Sequence, residues 1–277
     1  MMRETWPSRI ARGFGFLLVV VWSALPILLV VLASIRPAAE IFTFPPRFLF
    51  VPTFENYARL VANWPDFFSA LKNSLIVTMG ATILTIFATT LSGFVYARYR
   101  SSTLAGSAFF MIFIRMLPPI VITLPLFPIV NRLGLNDTHL VLIILYATFF
   151  VSMNTWIMKA FIDQIPRELD ESAVIDGANT LHILWHVVLP LAAPGMIAAS
   201  TFVLVFSWNE FLFAFIFTTT EAKTAPLILS EMLGALDGVE WGVLFAAATL
   251  QLLPVLAFVM LVQKAVIAGM TAGSVKG

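Results

Sequence analysis

The chain has 277 residues, 60% of them hydrophobic and 11% charged, with a net charge of +1 and no cysteine. A soluble domain is nearer half apolar and a quarter charged, so this chain is built for lipid. The charges form no basic stripe that would suit nucleic acid, and the lack of Cys excludes disulfides, thiol catalysis and thiolate metal sites.

The polar start, MMRETWPSRIARGF, carries Arg3, Arg9 and Arg12 and leads into an apolar run over 14–35. That run exceeds a signal-peptide core and predicts a retained first transmembrane helix with a kink at Pro26. Residues 36–70 contain Pro37, Pro45, Pro46, Pro52 and Pro65 and predict an extended outer loop, returning at the interface near Trp64, Phe67 and Phe68. A second span covers 71–96, entered through Lys72, Asn73 and Ser74. Tyr96, Arg98 and Arg100 then form an aromatic and basic edge, as at a cytoplasmic interface. A third span, 103–130, holds Arg115 and Leu117-Pro118-Pro119; two successive prolines remove two backbone donors, so it must bend or open.

NRLGLNDT, 131–138, is a turn with Gly134 as helix stop and Asp137 or Thr138 as the next cap. The fourth span is 139–160 and the fifth 193–217, which carries Ser207-Trp208-Asn209-Glu210. A polar outer stretch, 218–241, precedes the sixth span, 242–265. The expectation is an all-α polytopic membrane protein, one domain over 1–277 with six transmembrane helices.

Six spans put both termini on one side. With the N-terminus inside, inner segments hold Arg3, Arg9, Arg12, Arg98, Arg100, Lys159, Arg167, Lys264 and Lys276, nine in all. The outer ones hold six: Arg36, Arg47, Arg59, Lys72, Arg132 and Lys223. That balance favours cytoplasmic termini and a cytoplasmic 161–192.

This segment is the longest polar interruption in the second half. Pro166 suits a first helical position, and Glu168, Asp170 and Glu171 suit the positive helix end that follows. Asp176-Gly177 reads as a break, with Gly free to turn left-handed and Asp able to bond backbone amides ahead of it. Asn179 or Thr180 can cap a second short helix over 181–188, closed by Pro190 and Pro194. Ser172, Ala173, Gly177 and Ala178 leave a low surface open to a partner backbone. Ile183, Leu184, Trp185, Val187 and Val188 either pack on the chain's own helices or form an interaction patch. His182 and His186 are four apart but lack a third ligand, and His139 is remote, so no metal site is expected.

Arg115 and Glu210 are charges at hydrocarbon depth, which are rare and costly. Asn73, Arg115, Asn154, Ser207, Trp208, Asn209 and Glu210 are candidate pathway or substrate residues, because indole faces stack on sugar rings and amides bond hydroxyls. Plain helix–helix hydrogen bonding is the competing role. No nucleophile–base set converges, so no catalytic residue is assigned.

Glu171-Ser172-Ala173-x-x-Asp176-Gly177-Ala178, followed by Leu189-Pro190-Leu191 and Pro194, resembles the EAA motif of ABC importer permeases. The resemblance is to the shorter permease of the sugar-importing, maltose-transporter type. It runs through Phe54-Glu55-Asn56-Tyr57, Asn73-Ser74, Pro125-Leu126, Leu133-Gly134-Leu135, Ile165-Pro166, Trp208-Asn209-Glu210 and the C-terminal 269–277. Ser172 stands where that family usually has Ala, and Leu184 where an aromatic is common.

The resemblance implies a type I ABC importer permease fold in a bacterial or archaeal inner membrane. It implies that Glu171, Ser172, Ala173, Asp176, Gly177, Ala178 and Pro190 couple to an ATPase, with Glu171 the contact and Gly177 the turn, and that Lys276 reaches it too. The implied partners are a second related permease, two ATP-binding subunits, an extracytoplasmic solute-binding protein and membrane lipid. This chain has no G-x-x-x-x-G-K-[ST] loop, so ATP and Mg²⁺ belong to the partner and the chain binds no cofactor. A stand-alone ion-coupled carrier is the alternative; it needs carboxylates near the midplane or repeated halves. A membrane-embedded enzyme ranks below both.

Overall fold

The computed structural model describes residues 6–45, 47, 49–236 and 238–272, the side chains of 6–11 and 264–272 apart. The expected contact of Lys276 lies outside the described residues. All regular structure among the described residues is helical. Among the described residues four helices are long and apolar enough to cross a membrane, or up to six if each of two sharply bent pairs counts as one span.

One compact unit comprises Met1–Phe67 with Leu229–Leu253. Helix α1 (Trp6–Ser34) contains Pro26 and exposes nearly all its apolar surface, as a lipid-facing span must. The segment 36–70, expected to be extended, instead contains helix α2 (Glu55–Asn63). Asn56 and Leu60, one turn apart, form its buried face. The Asn56 amide donates to the carbonyls of Ser34 (2.9 Å) and Arg36 (2.8 Å), satisfying the end of α1. The hydroxyls of Ser34 and Tyr57 bond at 2.8 Å. A Cβ at Gly242 would collide with the Asn56 amide, so only glycine fits there.

The other unit comprises Phe68–Ile228 with Pro254–Gly277. Its first long helix is α3 (Asp66–Arg98). The third predicted span is two helices, α4 (Ser102–Arg115) and α5 (Pro119–Arg132), bent by 97° at Met116–Pro118. Pro119 begins α5, where its missing N–H costs nothing. Helix α6 (His139–Ile162) starts on Thr138, whose hydroxyl accepts the Val141 N–H at 3.3 Å. After the loop, α10 (Ala193–Trp208) packs on α6 and breaks at Asn209–Phe211, before α11 (Leu212–Phe217). The polar stretch 218–241 contains α12 (Ala225–Leu233), which buries Ala225, Leu227, Ile228 and Met232. Helix α13 (Trp241–Ala272) ends the described chain.

Two apolar clusters fill this second unit. One gathers Val77, Ala81, Leu142, Tyr146, Phe150, Val203 and Phe217. The other gathers Ile86, Phe94, Met158, Ile162, Ile183, Leu184, Val188 and Ala199. Between them each helix turns polar: Thr82 and Thr85 on α3, Asn154 and Thr155 on α6, Ser200 and Thr201 on α10. The Thr85 hydroxyl and the Asn154 carbonyl oxygen are fully buried with no partner in the fold. Beside the layer, Ser92 and Thr155 bond hydroxyl to hydroxyl at 2.8 Å. Gly93 allows α3 to lie against α6, since a Cβ there would stand 2.7 Å from the Met158 Cβ.

Candidate functional site

The α6–α10 loop folds as two short helices meeting at a corner, and local chemistry explains each turn. Helix α7 (Arg167–Ile175) starts one residue after Pro166, with Glu168 and Asp170 in its first turn. It ends in a full Schellman motif: Gly177 N–H bonds Val174 C=O (3.0 Å), and Ala178 N–H bonds Ala173 C=O (2.9 Å). Gly177 has φ +85°, the left-handed conformation this motif requires. The predicted amide-bonding role of Asp176 is not what makes the break; its backbone closes the turn onto Ser172 C=O (3.1 Å) and its side chain is exposed.

Asn179 caps the next helix, α8 (Thr180–Ile183), by accepting the His182 N–H at 2.8 Å. The chain then widens into a π-turn, Leu184–Val188, before α9 (Leu189–Leu191). Pro190 explains this: with no N–H it cannot bond four residues back, and Leu189 reaches Leu184 C=O instead. A 75° bend at Ala192 then leads into α10.

The loop's apolar residues divide. Ile183, Leu184 and Val188 are buried in the cluster against α3 and α6, so they anchor the loop and offer no patch. Exposed instead are Val174, Ile175, Leu181 and Trp185, with Ile175 at 86%. Glu171, Ser172, Asp176, Gly177 and Pro190 share that exposure, while Ala173 and Ala178 are half-buried. A depression of about 430 Å³ lies in the corner, lined by Ala173, Asp176, Gly177, Ala178, Asn179, His182 and Val187. An acidic rim, small-residue floor and apolar flank together suit a protein partner.

The loop is also tied to α3. Arg98 Nε donates to Asp170 Oδ2 at 2.5 Å, with the side chains only 7% and 17% exposed. Its other nitrogens donate to Ile162 C=O (3.2 Å) and Ile165 C=O (3.3 Å). Arg167 returns the contact to Ala97 C=O at 2.7 Å.

The polar span residues do not converge. Asn73 donates to the carbonyls of Glu221 (2.7 Å) and Lys223 (3.0 Å) and bonds His139 at 2.7 Å, which leaves it holding a loop. Arg115 donates to Phe149 C=O (3.1 Å) with its guanidinium 5.0 Å from that ring, and it forms no ion pair with Glu210. Glu210 caps α11 by accepting the N–H groups of Phe213 (3.0 Å) and Ala214 (3.4 Å). The Tyr146 hydroxyl is buried near that carboxylate. Asn154, Ser207 and Trp208 are buried, and Asn209 is exposed at the helix break with its amide on Val205 C=O (2.8 Å).

Sequence reasoning missed Asp137 as a tether. It sits at φ +59° and accepts the N–H groups of Thr219, Thr220, Glu221 and Ala222 at 3.0–3.1 Å, plus the hydroxyls of Thr219 and Thr220. Burial pushes its carboxyl pKa up, but the bonds from Ala222, Glu221, Thr220 and Thr219 outweigh this and hold it well below the usual carboxylate range. A non-glycine residue at positive φ is enriched in Asp and Asn, but its partners lie 82–85 residues away, where no local pattern reaches.

Comparison with known proteins agrees with this architecture. The family model described as "Binding-protein-dependent transport system inner membrane component" matches residues 88–272. The chain is 31% identical to the trehalose/maltose transport system permease protein MalG of Thermococcus litoralis, covering all of both. It is 33% identical to the trehalose transport system permease protein SugB of Mycobacterium tuberculosis, over 94% of this chain and 95% of that one. A solved bacterial ABC transporter involved in the import of the acidic polysaccharide alginate has the same fold, at a TM-score of 0.77 and 22% identity over 95% of this chain and 99% of that chain. The corner loop, the paired bends and the sequence match together make this chain a member of the binding-protein-dependent transport system inner membrane component family.

Proposed function

We propose that this chain is one of two transmembrane subunits of an ATP-driven carbohydrate importer. It would work beside a second related permease, two ATP-binding subunits and an extracytoplasmic binding protein, with its termini and the α6–α10 loop cytoplasmic. ATP and its Mg²⁺ would be held by the ATPase, whose closure displaces the loop. The relatives named for trehalose and maltose transport support a carbohydrate.

The observation that carries the coupling role is the corner itself: an exposed acidic and apolar surface on a turn made rigid by the Gly177 Schellman pair and the Asn179 cap. Rigidity lets such an element carry displacement, provided the interface has two arrangements. Replacing Glu171 and Gly177 together (Glu171→Ala, Gly177→Ala) should leave ATP hydrolysis running without uptake. Wild-type uptake in that double variant would count against the reading. Screening the co-expressed binding protein against maltose, trehalose and other sugars identifies the solute. A carrier working alone needs a midplane carboxylate open to an ion, whereas Glu210 is engaged in capping α11.

A further inference from the structure

The loop's neighbours in sequence are α6 and α10, yet its first helix is fastened most specifically to α3. The Arg98–Asp170 pair joins residues 72 positions apart and is nearly solvent-free. Such a pair is held in one geometry because the guanidinium is planar and both terminal nitrogens also donate to a partner. Here those partners are the carbonyls of Ile162 and Ile165, at the turn where α6 becomes α7. Arg167 on α7 closes a second link onto the last turn of α3. Three backbone carbonyls and one carboxylate therefore lock the end of α3 to the start of α7, and Phe94, Ala97, Ile162 and Ile165 pack in the same cluster.

We propose that Arg98 is a positioning residue that makes α3 and α7 move as one body, so that displacement of the loop is delivered to a span that is not its neighbour in sequence. This rests on the coupling role proposed above. Without Arg98, α7 is held to the bundle by its covalent junctions, apolar contacts and the single Arg167–Ala97 bond, and α3 receives the stroke weakly.

The chain has no cysteine, so spin labels on this subunit can be confined to Arg100→Cys and Leu169→Cys, both exposed positions on the α3 side and the α7 side of the clamp and outside the proposed docking surface. Electron-spin distance measurements on the assembled transporter in vesicles compare the nucleotide-free state with the state trapped by ATP and vanadate. The clamp predicts a label separation that changes by less than about 2 Å, the scale of ordinary helix adjustment. Adding Arg98→Gln, or Asp170→Asn where the first variant fails to assemble, should broaden the distribution and let the separation change with nucleotide. Arg98→Lys, which keeps the charge but not the fork, should fall between. A separation that shifts by more than about 5 Å in the otherwise wild-type complex overturns the proposal, since that is a full helical turn of slippage. So does a variant whose distribution matches the parent in both states. Lack of ATP hydrolysis in the parent assembly would strike the coupling role itself, a separate failure.

Discussion

Removing the Asp137 carboxylate should free the segment 219–222 while leaving the helices folded. In Asp137→Ala four backbone N–H groups lose their acceptor. Three of them are exposed and re-pair with water, at about 0.5 kcal/mol each, the low end for a hydrogen bond. Ala222 is fully buried, and its stranded N–H adds about 2 kcal/mol. The sum, about 3.5 kcal/mol, corresponds to about a 400-fold loss of protection in amide hydrogen exchange at 219–222. Asp137→Asn should lose at least tenfold, because its NH₂ group faces donors where the carboxylate accepts. Acid supplies an independent check. The folded-state pKa is depressed, so this stabilisation is complete above the unfolded value near 4 and fades as pH falls below it. Exchange measured by mass spectrometry on the solubilised complex reads both effects. Protection within about threefold of wild type in Asp137→Ala would refute the tether, since local opening would then be controlled elsewhere.

Asn56→Leu should cost about 2–4 kcal/mol by stranding the carbonyls of Ser34 and Arg36, read as a lower thermal midpoint of the solubilised protein. Gly93→Ala should cost about 1–3 kcal/mol in the same assay, because its Cβ would also stand 3.1 Å from the backbone nitrogen of Lys159, which no rotamer change relieves. Gly177→Ala alone meets open space, so its cost should be the left-handed backbone, about 1 kcal/mol, with complex assembly retained on size-exclusion chromatography. Glu210→Gln retains an acceptor for Phe213 N–H and should transport, whereas Glu210→Ala should not; equal loss in both would assign the charge itself a role.

The parts of this molecule legible from sequence are those governed by neighbours. Gly177, Asn179 and Pro190 signal the corner within a few residues, and structure puts a Schellman motif, a cap and a widened turn at those places. The Pro118-Pro119 bend is equally local, though its 97° amplitude is not. The break after Trp208 was not foreseen because Asn209 and Glu210 were read as pathway groups, whereas the Glu210 carboxylate accepts the Phe213 N–H at the start of α11. The amphipathic spacing of Asn56 and Leu60 was masked by the prolines on either side of α2. Asn73 and Arg98 were read by residue type, as a pathway amide and an interfacial cation, yet their roles depend on carbonyls 64–150 residues distant. Side-chain chemistry announced that these groups need partners; only the fold says which.

The layer of Thr85, Asn154 and Thr155 has a mechanical meaning. Two oily blocks on either side of a hydroxyl-and-amide seam share helices but not a common interdigitated interior, so a side chain altered in one block has few atoms through which to disturb the other. The seam holds few directional bonds, since the Thr85 hydroxyl and the Asn154 carbonyl oxygen have no partner in the fold and the Asn154 amide bonds its own helix. Substitutions within the block that carries Ile183, Leu184 and Val188 should therefore leave the packing around Tyr146 and Phe217 little changed.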